Sequence, residues 1–523
     1  MKLKRLIPLA LAVSLLTGCG GPSGGQLPAP GPESPSPSGQ IMVTPSGEPS
    51  PSGQITVSPP PSGGSVPSNI APPIDVSAFA LAQSAYPEFP AYPEQPEDGG
   101  DWNAFFDAES DYFQAVSDLR KDCDPERVRS NRLIMAFAAD STPLALAGHE
   151  GENAIYSPLS LWSALVLAAQ CAQGESRAQL LSALHYGDAE GLAALLREVW
   201  LMLYTDDGRD ALTLANSVWL NDAAQGHYVQ DTLDVLANEL FSSVYSVPMG
   251  TDEADRAITA WISDQTHGLI GNSGPVVETK VLTLAVLASS LYYRAGWTDE
   301  FYEDLTEEDT FTAADGQESR VDFMHKTVDG LFLKRDGYEV DYPDGSFSVR
   351  NGYQAAYLPT RLGEMVFVLP DEGVTPESLL EDPDFLENLT FVDKNWEHAD
   401  PSTAAHWGEV QWSVPKFDVN SNLDLLDTLK DLGVTDLLDP DRADLSNLTG
   451  IPAYLSQAFQ LARVKVDEEG VEAAAVTILM MDAGSAMPPE DSEICVMDLD
   501  RPFLFVVRSQ DLPLFVGVVN QVG

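Results

Sequence analysis

Residues 466–490 read VDEEGVEAAAVTILMMDAGSAMPPE, and the middle of this stretch points in two directions. Glu472 and the alanines after it favour helix, whereas Val476, Thr477 and Ile478 favour strand. Such a segment is either a helix that frays into a strand or one that holds different conformations at different times. The rest of the chain decides between them.

At 523 residues the chain has room for several average domains, but its N-terminus is set apart first. Lys2, Lys4 and Arg5 precede an apolar stretch from Leu6 to Leu16, which closes on LTGC at 16–19. A charged start and a short apolar run ending in small residues form a secretory signal, too short to span a bilayer as a mature helix. Residues 1–19 resemble a bacterial lipoprotein signal, in which Cys19 would be lipidated and would become the first residue of the mature protein. That places the protein on the extracellular face of the cell membrane, held by a lipid anchor or released from it. Residues 20–73 are rich in Pro, Ser and Gly, and PSGQIMVTPSG at 37–47 recurs as PSGQITVSPPPSG at 51–63. This composition reads as a disordered tether.

Residues 74–119 form an acidic aromatic arm, in which 74–110, as in YPEFPAYPEQPEDGGDWNAFF, read as extended and ESDYFQAVSDLRK (109–121) shows helical periodicity. From 120 to 523 the pattern is globular. Helical periodicity is clear in LSLWSALVLAAQ and ADRAITAWISDQTHG, and strand patterns in EMVFVLP, VQWSVPKFDV, ARVKVDE, PFLFVVRS and PLFVGVVN. Helices concentrate early and strands late, without βαβ alternation, which points to an α+β fold.

Several chemistries are disfavoured. The net charge of −52, from 80 acidic and 28 basic residues, opposes nucleic acid, heparin-like polyanions and anionic lipid surfaces as partners. Cys123, Cys171 and Cys495 are widely spaced and odd in number, so neither a disulfide framework nor a zinc site is expected. His398 and His406 share one loop at a spacing that matches no metal motif. No H-E-x-x-H, P-loop or dinucleotide fingerprint occurs, and the one G-x-S-x-G match, GPSGG at 21–25, lies in the Pro/Ser/Gly-rich tether and not at a strand-to-helix elbow. Neither an enzyme, a cofactor nor a metal is expected.

Taken in order, seven segments resemble the serpin family of protease inhibitors. They are NAIYSPLSLWSALVLAAQCAQGES (153–176), LANSVWL (214–220), ITAWISDQTHGLI (258–270), LYYRAGWTDEF (291–301), VPKFDVNSNLDLLDTLKDLGVTDLL (414–438), DEEGVEAAAVT (467–477) and DRPFLFVVRSQDLPLFVGVVN (500–520). The resemblance implies three β-sheets surrounded by about nine helices, with an exposed reactive loop offered to a protease as bait. After the bait bond is cut, the loop inserts into the main sheet as a new strand and carries the acyl-linked protease with it. The stretch with divided preferences is then a hinge, comprising Glu468, Glu469, Gly470, Val471, Glu472, Ala473, Ala474 and Ala475.

The residues can be tested against that physics. In a strand, alternate side chains turn to opposite faces. Val471, Ala473, Ala475, Thr477, Leu479 and Met481 form one small or apolar face, while the other begins with Glu472, which can stay solvated. No charge or proline falls on the apolar face before Asp482, and an unpaired buried charge there would cost several kcal/mol. Gly470 is expected to supply backbone freedom.

By the family's usual spacing the bait bond is Gly484–Ser485, with Met481–Asp482, Ala483–Gly484 and Ser485–Ala486 as alternatives. Small or unbranched residues there suit elastase-like or subtilisin-like proteases. At the family's shutter, Ser157 and Ser160 match, but Ser289 replaces the usual Asn and Gln460 the usual His. These replacements either build an alternative polar cluster or loosen the shutter. Trp297 is the corresponding breach residue. The helix that binds heparin in some relatives is almost free of basic residues here. The expected protein is a membrane-tethered, monomeric suicide substrate of secreted serine proteases, and the rival is a serpin-fold binding or surface-architecture protein.

Overall fold

A computed structural model describes residues 74–84, 86–96, 100–121, 123–124, 132–271, 276–341, 347–391, 405–473 and 493–523. The signal with Cys19, the tether, His398, Ala474, Ala475 and all four candidate bait bonds (Met481 to Ala486) lie outside the described residues. Residues 72–523 form one compact unit.

The main sheet has eight strands. Its path runs β1 (Ala80–Ala82), β5 (Ser242–Val247), β4 (Ala211–Asn221), β6 (Ala285–Gly296), β16 (Gly470–Ala473), β15 (Phe459–Val466) and β14 (Phe417–Asp424), with β3 (Thr205–Asp206) paired beside β4. Only β4 and β5 run parallel. The second sheet has nine strands, in the order β17 (Glu493–Asp498), β13 (His406–Pro415), β8 (Glu318–Arg335), β11 (Tyr353–Thr360), β12 (Gly363–Pro370), β18 (Phe503–Ser509), β19 (Leu512–Val519) and β2 (Ala154–Tyr156), with β7 (Glu307–Thr312) beside β8. A hairpin of β9 (Tyr338–Asp341) and β10 (Phe347–Arg350) stands apart. The 18-residue β8 pairs with β7 and β13 and, through its last residues, with β11. Because that strand is continuous, the two smaller sheets implied by the resemblance are joined into one.

Burial follows patterning. In β14 and β15 buried and more exposed residues alternate, as in a sheet with one wet face, whereas β18 and β19 are apolar runs buried throughout. Ten α-helices occur among the described residues. They are α1 (Trp102–Leu119), α2 (Arg132–Leu146), α3 (Pro158–Cys171), α4 (Gly174–Ala183), α5 (Ala189–Leu203), α6 (Gln230–Asn238), α7 (Asp252–Gln265), α8 (Pro376–Leu379), α9 (Phe385–Thr390) and α10 (Leu426–Asp431). Nearly all of α3 is buried, as expected of a helix apolar all round, and it packs against β6 and β19. It starts cleanly: the Ser157 hydroxyl accepts from the Ser160 N–H, and Pro158 occupies the first turn, where its missing N–H costs nothing. On the other face of the main sheet, α7 packs Trp261 edge-on to Trp219, which stacks on Tyr245.

The described residues of the arm begin at Ile74, and the helix α1 replaces the extended reading from Trp102 onward. β1 extends the main sheet at its β5 edge, and Tyr86 stacks on Trp200 beside Tyr204 and Phe241. α1, capped by Asp101, buries Phe105 and Tyr112. Tyr86, Phe105 and Tyr112 thus turn toward the domain, whereas Trp102 and Phe106 remain exposed.

Candidate functional site

β15 and β16 are the arms of a tight hairpin. Val466 pairs with Val471, and the Asp467 carboxylate accepts from the backbone N–H groups of Glu469 and Gly470 at 3.1 and 3.3 Å. This side-chain turn, favoured by Asp, folds residues 470–473 back against β15. Their other neighbour is β6, with Gly470 opposite Gly296 and Ala473 opposite Tyr293. The four residues therefore sit as a short strand between β6 and β15, antiparallel to both.

Below this point, among the described residues, β6 and β15 are not paired with each other. Strands bonded to a common middle strand lie about 10 Å apart, twice the usual spacing. Ala285–Tyr292 and Phe459–Val464 thus border a slot one strand wide.

Within β16 the alternation is as expected: Val471 is buried and Glu472 is turned away from the core. Glu472 is nevertheless not simply solvated. In register it lies between Arg294 and Lys465, and its carboxylate accepts from the Tyr292 hydroxyl at 3.3 Å. Burial, and then the charge of Glu472, push the Tyr292 phenol up to about 12. Gly470 also differs from expectation. It does not occupy the left-handed region; a Cβ there would overlap the Ala295 carbonyl, so close approach to β6 is what demands glycine.

Glu468 anchors the turn. Nearly buried, its carboxylate receives Lys416 Nζ at 2.9 Å and Thr306 Oγ1 at 2.8 Å, while its carbonyl accepts from the Phe301 N–H. Burial alone would raise this carboxyl, but the hydrogen bonds from Lys416, its own backbone and Thr306 outweigh that and hold it below its usual range. Lys416 is raised in turn, chiefly by its hydrogen bond to Glu468. The Glu469 carbonyl accepts from the Trp297 N–H, and the Trp297 indole N–H donates to the Asp467 carbonyl at 2.9 Å. Trp297 thus clasps the turn from β6.

The residues expected at the shutter lie where α3 meets β6 and β15. Gln460 makes two hydrogen bonds with the backbone of Ser157, accepting from its N–H at 2.6 Å and donating to its carbonyl at 2.9 Å. Ser160 Oγ donates to the Ser289 carbonyl, and the hydroxyls of Ser163 and Ser289 are 2.8 Å apart. Ser163 also contacts Asn216 Oδ1 at 3.3 Å. The replaced positions therefore belong to an alternative polar cluster. Ser163 and Asn216 were not singled out from the sequence, although Ser157, Ser160 and Ser163 recur every third residue and share a helix face, a legible signal. Asn216 Nδ2 and Ser290 Oγ are buried without hydrogen-bond partners.

A second cluster stands at the top of β6. The fully buried Asp210 carboxylate is gripped by Arg361 through Nε at 2.9 Å and Nη2 at 2.8 Å, and is reached by Arg209 Nε at 3.0 Å. It also accepts from the Gly296 N–H at 3.3 Å. Nothing in the motif spacing had marked these residues.

The thiols are unreactive by environment. Cys171 and Cys495 are buried, and desolvation raises them to about 12 and about 11. His406 stacks on Phe332 and pairs with Glu493 at 3.1 Å.

Residues 133–522 match the family described as Serpin (serine protease inhibitor). Serpin-Z1A of Triticum aestivum is 32% identical over 405 residues, covering 74% of this chain and 94% of that protein. Glia-derived nexin of Homo sapiens is 28% identical, covering 71% and 88%. Among solved structures, the thermophilic serpin Tengpin in its native state superposes with a TM-score of 0.60 at 23% identity, over 75% of this chain and 95% of that one. The architecture is the serpin fold, and this chain belongs to the serpin family, whose members are usually protease inhibitors.

Proposed function

We propose that this protein inhibits secreted serine proteases as a suicide substrate, by cleavage of the loop around Gly484–Ser485 and insertion of the freed segment between β6 and β15. The observation that carries this reading is the seated start of that strand between β6 and β15, which among the described residues are not paired with each other. Continuing the two registers of β16 brings Ala475 between Leu291 and Ala462, and Thr477 between Ser289 and Gln460. Small and hydroxylated residues thus meet the slot where it is apolar and where it is polar. Successive residues added gain ladder hydrogen bonds alternately to β6 and β15, which is the driving force for carrying an attached protease.

The remaining parts of the proposal rest on sequence. Small and unbranched residues around the bait bond fit elastase-like or subtilisin-like enzymes, and the stretch between Lys465 and Arg501 holds no basic residue to offer a trypsin-like enzyme its side chain. The protein acts as a monomer without heparin-like activation. Lipidated Cys19 and the tether hold it at the outer face of the cell membrane, or it is released from there.

Incubation with pancreatic elastase, subtilisin and trypsin tests the reading. The expected result is a covalent complex, stable in denaturing gels, with elastase or subtilisin and not with trypsin. Loop cleavage without any covalent complex would replace the inhibitor by a binding or surface-architecture protein.

A further inference from the structure

The arm and α1 lie outside residues 133–522, the part of the chain shared with the family, yet they are joined to the top of β6 by an unbroken run of contacts. The Tyr92 N–H donates to the Asp207 carbonyl at 3.0 Å, and the Tyr112 hydroxyl donates to the Asp207 carboxylate at 2.9 Å. The other oxygen of that carboxylate accepts from the backbone N–H groups of Arg209 and Asp210 at 2.9 and 2.8 Å. The Tyr92 ring covers the Arg209 guanidinium at 3.6 Å, a close cation–π contact. Arg209 in turn reaches the Asp210 carboxylate, which holds Arg361 and the Gly296 N–H. The Arg361 N–H closes the circuit by donating to the Gly296 carbonyl at 2.9 Å.

Gly296 is the register partner of Gly470, where β16 begins. A Cβ on Gly296 would overlap the Arg361 guanidinium, and a Cβ on Gly470 would overlap the β6 backbone. Guanidinium, Gly296 and Gly470 are therefore stacked without slack, and a shift of Asp210 moves the wall against which the hinge is seated. Asp207 and Asp210 are both buried, so their positions are set by these partners and not by water.

We propose that Asp210 is a positioning residue for loop insertion and that residues 74–121 act through it to hold the upper end of β6 where the hinge engages. The structure has the arm docked and the hinge seated together. The two contacts are compatible, and under the proposal linkage makes their coupling reciprocal, so that a docked arm and a seated hinge stabilise each other equally. The proposal rests on the inhibitor reading, in which insertion must outrun hydrolysis of the acyl-enzyme. A pre-set entrance speeds insertion and so raises the fraction of encounters that end in trapping.

The test measures moles of inhibitor consumed per mole of protease trapped, with elastase or subtilisin, together with the rate of loop cleavage, using the whole chain. Tyr92→Ala should raise the stoichiometry about threefold or more with cleavage unchanged, and Tyr92→Phe, which keeps the ring, should remain near the wild type. Asp210→Asn should raise it further, and adding Tyr92→Ala to it should bring little more, because both act on one element. If Asp210→Asn does not fold, Arg361→Lys takes its place in the cycle. Wild-type stoichiometry in Tyr92→Ala, or additive effects in the double variant, would overturn the proposal. So would faster spontaneous loss of activity at unchanged stoichiometry, which would make the arm a brake on insertion. A wild type that is merely cut would sink the inhibitor reading itself, a result distinct from trapping that is indifferent to the arm.

Discussion

The Glu468 carboxylate lies 2.9 Å from the Lys416 ammonium, which ties the turn ahead of the hinge to the segment joining β13 and β14. Glu468→Lys sets two ammonium groups against each other beside Thr306. The cost is roughly 2 kcal/mol, kept modest because the Lys416 side chain is partly exposed. The expected outcome is a lower melting temperature, with recovery in the charge-swapped double variant Glu468→Lys/Lys416→Glu.

The same pair gives a pH signature. Glu468 is lowered from 4.5, so its contribution is present above the unfolded value and is lost as pH falls through the lower folded value. Lys416 is raised from 10.5, so its contribution is complete below that value and is lost as pH rises through the higher folded value. Melting curves of the wild type and Glu468→Gln should therefore differ at neutral pH and converge as pH falls through the lowered folded value, below 4.5. A difference that persists unchanged into acid would mean that the ion pair contributes nothing.

Val471 faces the core between Val466 and Ala295, and its replacement by Glu buries an unpaired charge where the new strand must start. The cost is several kcal/mol. Loop cleavage should continue while covalent trapping disappears, and the large rise in melting temperature expected on cleavage of the wild type should be lost. Glu472→Ala removes the contact with Tyr292 and the flanking Arg294 and Lys465, and should cost about 0.5–1 kcal/mol without abolishing trapping.

Ser163→Ala deletes the hydroxyl shared by Ser289 and Asn216. Leaving the buried Asn216 and the half-buried Ser289 without that partner should cost about 1–3 kcal/mol by chemical denaturation. Gln460→Ala should cost a similar amount, because the buried Ser157 N–H loses its partner and the Ser157 carbonyl keeps only the Leu161 N–H.

Anchoring is checked by fractionation. Cys19→Ala should move the protein from membranes to the medium, and deletion of residues 20–73 should leave the trapping rate in solution unchanged. A marked loss of trapping after that deletion would show that the tether contacts the protease or the domain.

The sequence by itself determined the α+β class, the family resemblance and the alternation of the hinge, because each is written in local spacing. Helix faces recur every three to four residues, strand faces every two, and the motif segments keep their order along the chain. The pairing partners were beyond its reach. Gln460 meets Ser157 across 303 positions, and Asp210 meets Arg361 across 151. Local periodicity says which face of a segment is buried but not which distant segment covers it; that is settled by the topology of the closed chain. The tertiary structure alone decided that Gly470 is a glycine because β6 approaches it, that Glu472 is flanked by Arg294 and Lys465, and that the aromatic arm ends against the residues holding the top of β6. In each case the cause is a steric or electrostatic contact made only when segments far apart in sequence are brought together.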